Sequence, residues 1–143
     1  MRGVVVCALV LAVSGCGHHL TGTAAQACAS LVKALPDRVG DQKAGDRDRR
    51  TASWGDPEIA LTCGVGVPKG FTETSSCQNT VGLDWYVPDD QIGTSPVDVV
   101  MTTVGRSPRV QVKVPKNYWP PVAVMSDLTK TILAHTKKTT PCI

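Results

Sequence analysis

The sequence predicts an α+β domain of two layers. One helix near each end of the chain packs on one face of a small, about four-stranded, mostly antiparallel sheet. Three observations carry this. Apolar residues recur at helical spacing near both ends of the chain, and between those ends they alternate at strand spacing. Four cysteines follow an apolar leader, which is the usage of an exported, disulfide-bonded chain. A length of 143 residues suits one domain with a modest core.

The leader comes first. Arg2 gives a positive start, and Val4 to Val13 is uncharged and mostly branched. That run is long enough for a signal-peptide core and too short to span a bilayer as a helix. Val13-Ser14-Gly15-Cys16 then matches a bacterial lipobox, in which small residues enter a peptidase cleft and the cysteine thiol accepts a diacylglycerol. The competing cleavage site, Ala25-Gln26-Ala27, lies far beyond the apolar core for an ordinary secretory signal. Residues 1–15 are therefore read as a lipoprotein signal peptide, 16–23 as a lipid-anchored tether and 24–143 as the domain. Lipidation at Cys16 with two acyl chains would hold the domain stably on the outer face of the cell membrane. His18 and His19, adjacent on the tether, read as solvated linker rather than metal ligands, and no cofactor is expected.

Within the domain, Ala24 to Leu35 is predicted helical. Cys28, Leu31, Val32 and Leu35 form one apolar face, Thr23 is a plausible N-cap and Pro36 stops the helix. Asp37 to Ser53 alternates acids and bases without an apolar face and reads as a solvated, mobile loop. Trp54-Gly55-Asp56-Pro57 is a turn by composition. Glu58 to Val65 is a half-buried strand with Ile59, Leu61 and Cys63 on one side. Gly66 to Asn79 is loop, and Thr80 to Val87 is a strand weakened by Gly82. Val97 to Val104 and Arg109 to Val114 form a hairpin across Gly105-Arg106-Ser107-Pro108. The last helix runs from Val122 to about Lys137, with Val122, Met125, Leu128, Ile132 and Leu133 as its apolar stripe. Lys137 and Lys138 suit the negative end of its dipole.

Chemistry is sparse. The chain carries a formal charge of +3 with both signs interleaved, which argues against nucleic acid as a partner. Ser30-Leu31-Val32-Lys33 matches S-x-x-K, but the partner motifs of that enzyme class are absent and the domain is too small for its fold. Outside the tether only His135 offers an imidazole. Asp56, Asp84, Asp89 and Asp90 form no pattern that requires a catalytic pair. There is no C-x-x-C and no zinc-type spacing. With six cysteines in all, Cys7 leaves with the leader and Cys16 takes the lipid. Cys28, Cys63, Cys77 and Cys142 remain for two disulfides, and spacing leaves all three pairings open.

A non-catalytic binding or adaptor domain is therefore the leading expectation, with a protein of the cell envelope as the partner class. Its surface is sought at Tyr118, Trp119 and Pro120, because aromatic residues on loops supply binding hot spots. Trp54 and Trp85, at strand spacing, read instead as core. A carrier of a small apolar or lipid ligand and a cell-wall hydrolase are the alternatives. Nothing in the sequence selects an oligomeric state.

Several stretches together resemble a known family. They are Ala27-Cys28 with Leu31 and Ala34-Leu35-Pro36; Trp54-Gly55-Asp56-Pro57; Leu61-Thr62-Cys63-Gly64-Val65; Gly82-Leu83-Asp84-Trp85; Thr102-Thr103-Val104-Gly105-Arg106; and Val112-Lys113-Val114-Pro115 with Tyr118. The combination is similar to the actinobacterial DUF3515 family of small exported proteins, whose function is not known. The resemblance implies an actinobacterial envelope location. It also implies a Cys28–Cys63 bridge, since both cysteines lie in matching stretches, and this leaves Cys77–Cys142 by elimination. It transfers no catalytic or binding residue.

Overall fold

A computed structural model of the protein describes Leu20 and residues 22–143. The expected signal peptide, Cys16, His18 and His19 lie outside the described residues. No helix among the described residues is long and apolar enough to cross a membrane.

The domain has two layers, helices over a large antiparallel sheet. Helix α1 (Gly22–Ala34) buries Cys28, Leu31 and Val32, the face its periodicity predicts. It begins two residues before the expected start, so Thr23 lies inside the helix instead of capping it. Helix α2 (Val122–His135) buries Val124, Met125, Leu128, Thr129 and Ile132. Val122, expected in that stripe, is 54 % exposed, while Val124 and Thr129 take up the buried face.

The strands are β1 (Arg38–Val39), β2 (Gln42–Arg47), β3 (Thr51–Trp54), β4 (Ile59–Cys63), β5 (Gln78–Thr80), β6 (Leu83–Tyr86), β7 (Val99–Val104) and β9 (Val110–Val114). They make one eight-stranded sheet in the order β1-β2-β3-β4-β9-β7-β6-β5, every pair antiparallel. Two further short strands, β8 (Arg106–Ser107) and β10 (Lys137–Lys138), pair with each other beside it.

Register explains the core. Ala52, Leu61, Val112 and Met101 stand opposite one another across β3, β4, β9 and β7. Cys63, Val110 and Trp85 extend the same face, with Thr103 beside them and its Oγ1 accepting from the Val110 N–H at 2.9 Å. Directly opposed residues share a face of a pleated sheet. Both helices cover this face: Cys28 of α1 is bridged to Cys63, and Thr129 of α2 donates to the Thr80 carbonyl. Trp54 and Trp85 are fully buried in it. Trp54 Nε1 donates to the Pro36 carbonyl at 3.0 Å, whereas Trp85 Nε1 has no partner among the described residues.

Three expectations about the sheet are corrected. The sheet has eight strands, not about four. Asp37 to Ser53 is not a mobile loop: it supplies β1, β2 and the start of β3. Strand β2 is exposed or half-exposed at every position, so its side chains carry no alternation, and its backbone pairing with β1 and β3 defines it. The strand expected over Thr80 to Val87 is a hairpin instead. It turns at Val81 and Gly82, whose φ values of 50° and 85° reverse the chain between Thr80 and Leu83.

The ends of the helices are held by arginine and by side-chain hydroxyls. Arg47 donates to the Leu35 and Pro36 carbonyls past the end of α1 and pairs with Asp37. At the end of α2, Arg106 donates to the Leu133 carbonyl at 2.8 Å, to Thr136 Oγ1 at 2.9 Å and to the Thr136 carbonyl. The Thr136 hydroxyl donates to the Ile132 carbonyl at 2.6 Å. These contacts take the role expected of Lys137 and Lys138, which lie past the helix in β10.

Candidate functional site

Pro115 ends β9, and residues Lys116–Tyr118 make one 3-10 turn that delivers Trp119-Pro120-Pro121 to the start of α2. Tyr118 is fixed from below: its hydroxyl donates to the Pro57 carbonyl at 2.8 Å. The fit there is close, because a Cβ on Gly55 (φ +78°) would stand 2.8 Å from the Tyr118 hydroxyl. Tyr118 and Trp119 are half-buried and packed against the core, while Pro120 is exposed. Two proline rings restrict the backbone of this loop, so Trp119 is presented at little entropic cost.

Trp119 and Pro120 form one wall of an open groove of about 280 Å³. Ile92 and Gly93, from the loop after β6, form the other wall, and Thr80 and Met125 contribute to its lining. Val122 stands at the rim. Of the large apolar residues exposed among the described residues, Ile92 (45 %) and Val122 (54 %) both belong to this groove. Gln78, Asn79 and Gln91 add amide groups. Gln91 is oriented by its Oε1, which accepts from the Val100 N–H at 2.7 Å, and Asn79 by its donation to Asp84 Oδ1 at 2.7 Å. The groove also borders β5, a free edge of the sheet. The groove thus combines apolar side chains with a few oriented amides.

Of the three loop residues singled out in the sequence, the structure brings Trp119 and Pro120 to the groove and assigns Tyr118 to the support beneath it. The contribution of Ile92 and Gln91 was missed, because the segment from Pro88 to Pro96 carries only turn signals.

Other chemistry-bearing residues are dispersed. Asp56, Asp89 and Asp90 are exposed, and Asp84 bonds Asn79. His135 engages the Thr131 carbonyl through Nδ1 at 3.0 Å. It shares a surface cavity with Ser107, but no hydrogen bond joins the two among the described residues. No group of three or more His, Cys, Asp or Glu is gathered among the described residues. A depression of about 580 Å³ is lined by Glu58, Asp98, Lys113 and Lys116, whose mixed charges select no ligand. Two disulfides complete the frame. Cys28 joins Cys63 with Cα atoms 5.5 Å apart, and Cys77 joins Cys142 with Cα atoms 6.3 Å apart.

The fold and the groove define a two-layer, disulfide-bonded α+β domain with an aromatic surface site. A family model described as a protein of unknown function (DUF3515) matches residues 5–140, and the chain belongs to that family. No curated protein and no solved structure matches it.

Proposed function

We propose that the protein is a lipoprotein of the cell envelope, anchored through Cys16 to the outer face of the membrane, whose domain binds a partner protein without catalysing a reaction. The observation that carries the binding role is the groove beside Trp119 and Pro120, where exposed apolar side chains and oriented amides converge. Its volume is at the lower limit of about 300 Å³ for small-molecule pockets and suits a few side chains of a peptide segment. Two disulfides fit an oxidising compartment. The space between helices and sheet is filled by core side chains, which disfavours an internal lipid carrier. Dispersed carboxylates and a backbone-bonded His135 disfavour hydrolysis.

Photo-crosslinking in intact cells tests this. A photoreactive residue at Ile92 or Val122 should capture a discrete protein, and Trp119→Ala should abolish the adduct while the chain remains folded. The same reporter at Lys43, on the opposite side of the sheet, should capture nothing comparable. Equal adducts from Lys43 and the groove, or groove adducts insensitive to Trp119→Ala, would remove the basis for this reading.

A further inference from the structure

Leu20, the first described residue, sits at a definite place on the domain. Leu20 is seated on Gly64: a Cβ there would come within 2.5 Å of Leu20 Cδ1. Leu20, Gly64, Arg106, Arg109 and Thr139 line one shallow cavity at this end of the sheet. Arg109 is fixed to the same point by its backbone, since its carbonyl accepts from both Gly64 N–H and Val65 N–H. The short β8–β10 ribbon sets Lys138 opposite Arg106 and Lys137 opposite Ser107, with both lysines exposed. Arg50 completes the group, donating to the Cys63 and Gly64 carbonyls.

Arg106 and Arg109 thus line the cavity that holds Leu20, and Arg50, Lys137 and Lys138 lie on segments that adjoin it, five cations in all. The one ion pair among the described residues is Arg47–Asp37, so no carboxylate contacts any of the five. Glu73 is the acid that shares a cavity with Arg109. The groove lies at the other end of α2. That helix has 14 residues, which at 1.5 Å per residue separates its two ends by about 20 Å.

We infer that this basic end is a contact surface for anionic phospholipid, on which Arg109, Lys137 and Lys138 seat the domain. The groove then faces away from the bilayer, about one helix length above it. The inference deepens the anchored-domain reading and rests on it for orientation. The lipid source is favoured over an anionic wall polymer because the cations gather at the Leu20 end of the domain, which a lipid at Cys16 would hold against the headgroups.

The segment Leu20–Ile143 contains the whole described core and both disulfides, so it is used without the leader. Its cosedimentation is measured with neutral phosphatidylcholine vesicles and with vesicles containing phosphatidylglycerol. Each Lys or Arg near an anionic surface contributes roughly fivefold to binding. Preference for the anionic vesicles should therefore be strong, fall with added salt, and drop on the order of tenfold or more in Arg109→Gln/Lys137→Gln/Lys138→Gln. Lys113→Gln/Lys116→Gln, which removes charge elsewhere, should keep most of it. No anionic preference, equal loss in both variants, or binding to a soluble anionic polysaccharide without vesicle binding would overturn the inference. Labelling of cells with a radioactive fatty acid reads the anchor separately. The full-length chain should take up label and Cys16→Ala should not, and an unlabelled wild-type chain would refute the anchor whatever the vesicles show.

Discussion

Arg106→Ala is the substitution whose cost is best defined by the structure. The guanidinium makes three hydrogen bonds at the end of α2, to the Leu133 carbonyl, Thr136 Oγ1 and the Thr136 carbonyl. Helix α2 ends at Thr136 in an extended conformation, with no glycine to reverse the chain and satisfy its last carbonyls. A hydrogen bond to a charged group contributes about 1.5–3 kcal/mol, but the three share one half-exposed side chain and do not add fully. The favourable interaction with the helix dipole adds about 0.3–1 kcal/mol. A net loss of about 2–4 kcal/mol is expected. With a urea m-value of about 2 kcal/mol/M, the unfolding midpoint should fall by roughly 1–2 M at unchanged slope. Arg106→Lys should recover less than half, because an ammonium cannot reproduce the planar fork. Arg109→Ala, whose anchoring contacts are through its backbone, should cost under about 1 kcal/mol. Denaturation followed by fluorescence and circular dichroism measures all three. An Arg106→Ala loss below about 1 kcal/mol, or one equal to that of Arg109→Ala, would show that the end of α2 is held by Thr136 and His135 without it.

Two further perturbations read other parts of the frame. Cys28→Ala/Cys63→Ala removes a link between residues 35 apart that the chain-entropy model values at about 4 kcal/mol, and it also empties part of a fully buried site. Cys77→Ala/Cys142→Ala spans 65 residues but frees only surface segments, so it should cost less in global stability and instead raise the proteolysis rate of the 66–77 loop and the last residues. Tyr118→Phe should lose about 1 kcal/mol with the bond to Pro57, while Gly55→Ala should lose more than 2 kcal/mol through its positive φ and the clash with the same hydroxyl, both measured by urea titration.

Legibility in the sequence followed side-chain burial. Buried Ile59, Leu61 and Cys63 alternate with half-buried Ala60 and Thr62, and buried Val110, Val112 and Val114 alternate with Gln111 and Lys113, so β4 and β9 were plain. Cys28 and Leu31 marked the buried face of α1 for the same reason. Strand β2 was not legible, because Lys43, Ala44, Gly45 and Asp46 are all exposed and backbone pairing leaves no trace in residue type. Val81 concealed a turn: a β-branched residue at positive φ is rare, and the alternation around it reads as continuous strand. The loop aromatics stood out in the sequence, since Trp119-Pro120-Pro121 cannot continue a strand, and the structure places Trp119 and Pro120 in the groove lining. The opposite wall, from Ile92, required the register of β6 and β7 to bring it near. The cations around Leu20 are scattered over residues 50–138, and only the β8–β10 ribbon and the backbone of Arg109 gather them.

The strand order has a kinetic consequence. β2, β3 and β4 pair as sequence neighbours, as do β5 with β6, β6 with β7 and β7 with β9. The one long-range seam in the large sheet is β4 against β9. A chain emerging N-terminus first can therefore complete its first half, and oxidise Cys28 to Cys63, while β4 still waits with an unpaired apolar edge. That edge closes only when Val110–Val114 arrives, and joining such distant segments is the slow, aggregation-exposed step in folding. Mutations in Leu61 or Val112 should therefore act on the rate of folding as much as on its end point, whereas Cys142, near the end of the chain, can seal the fold only after the sheet is complete.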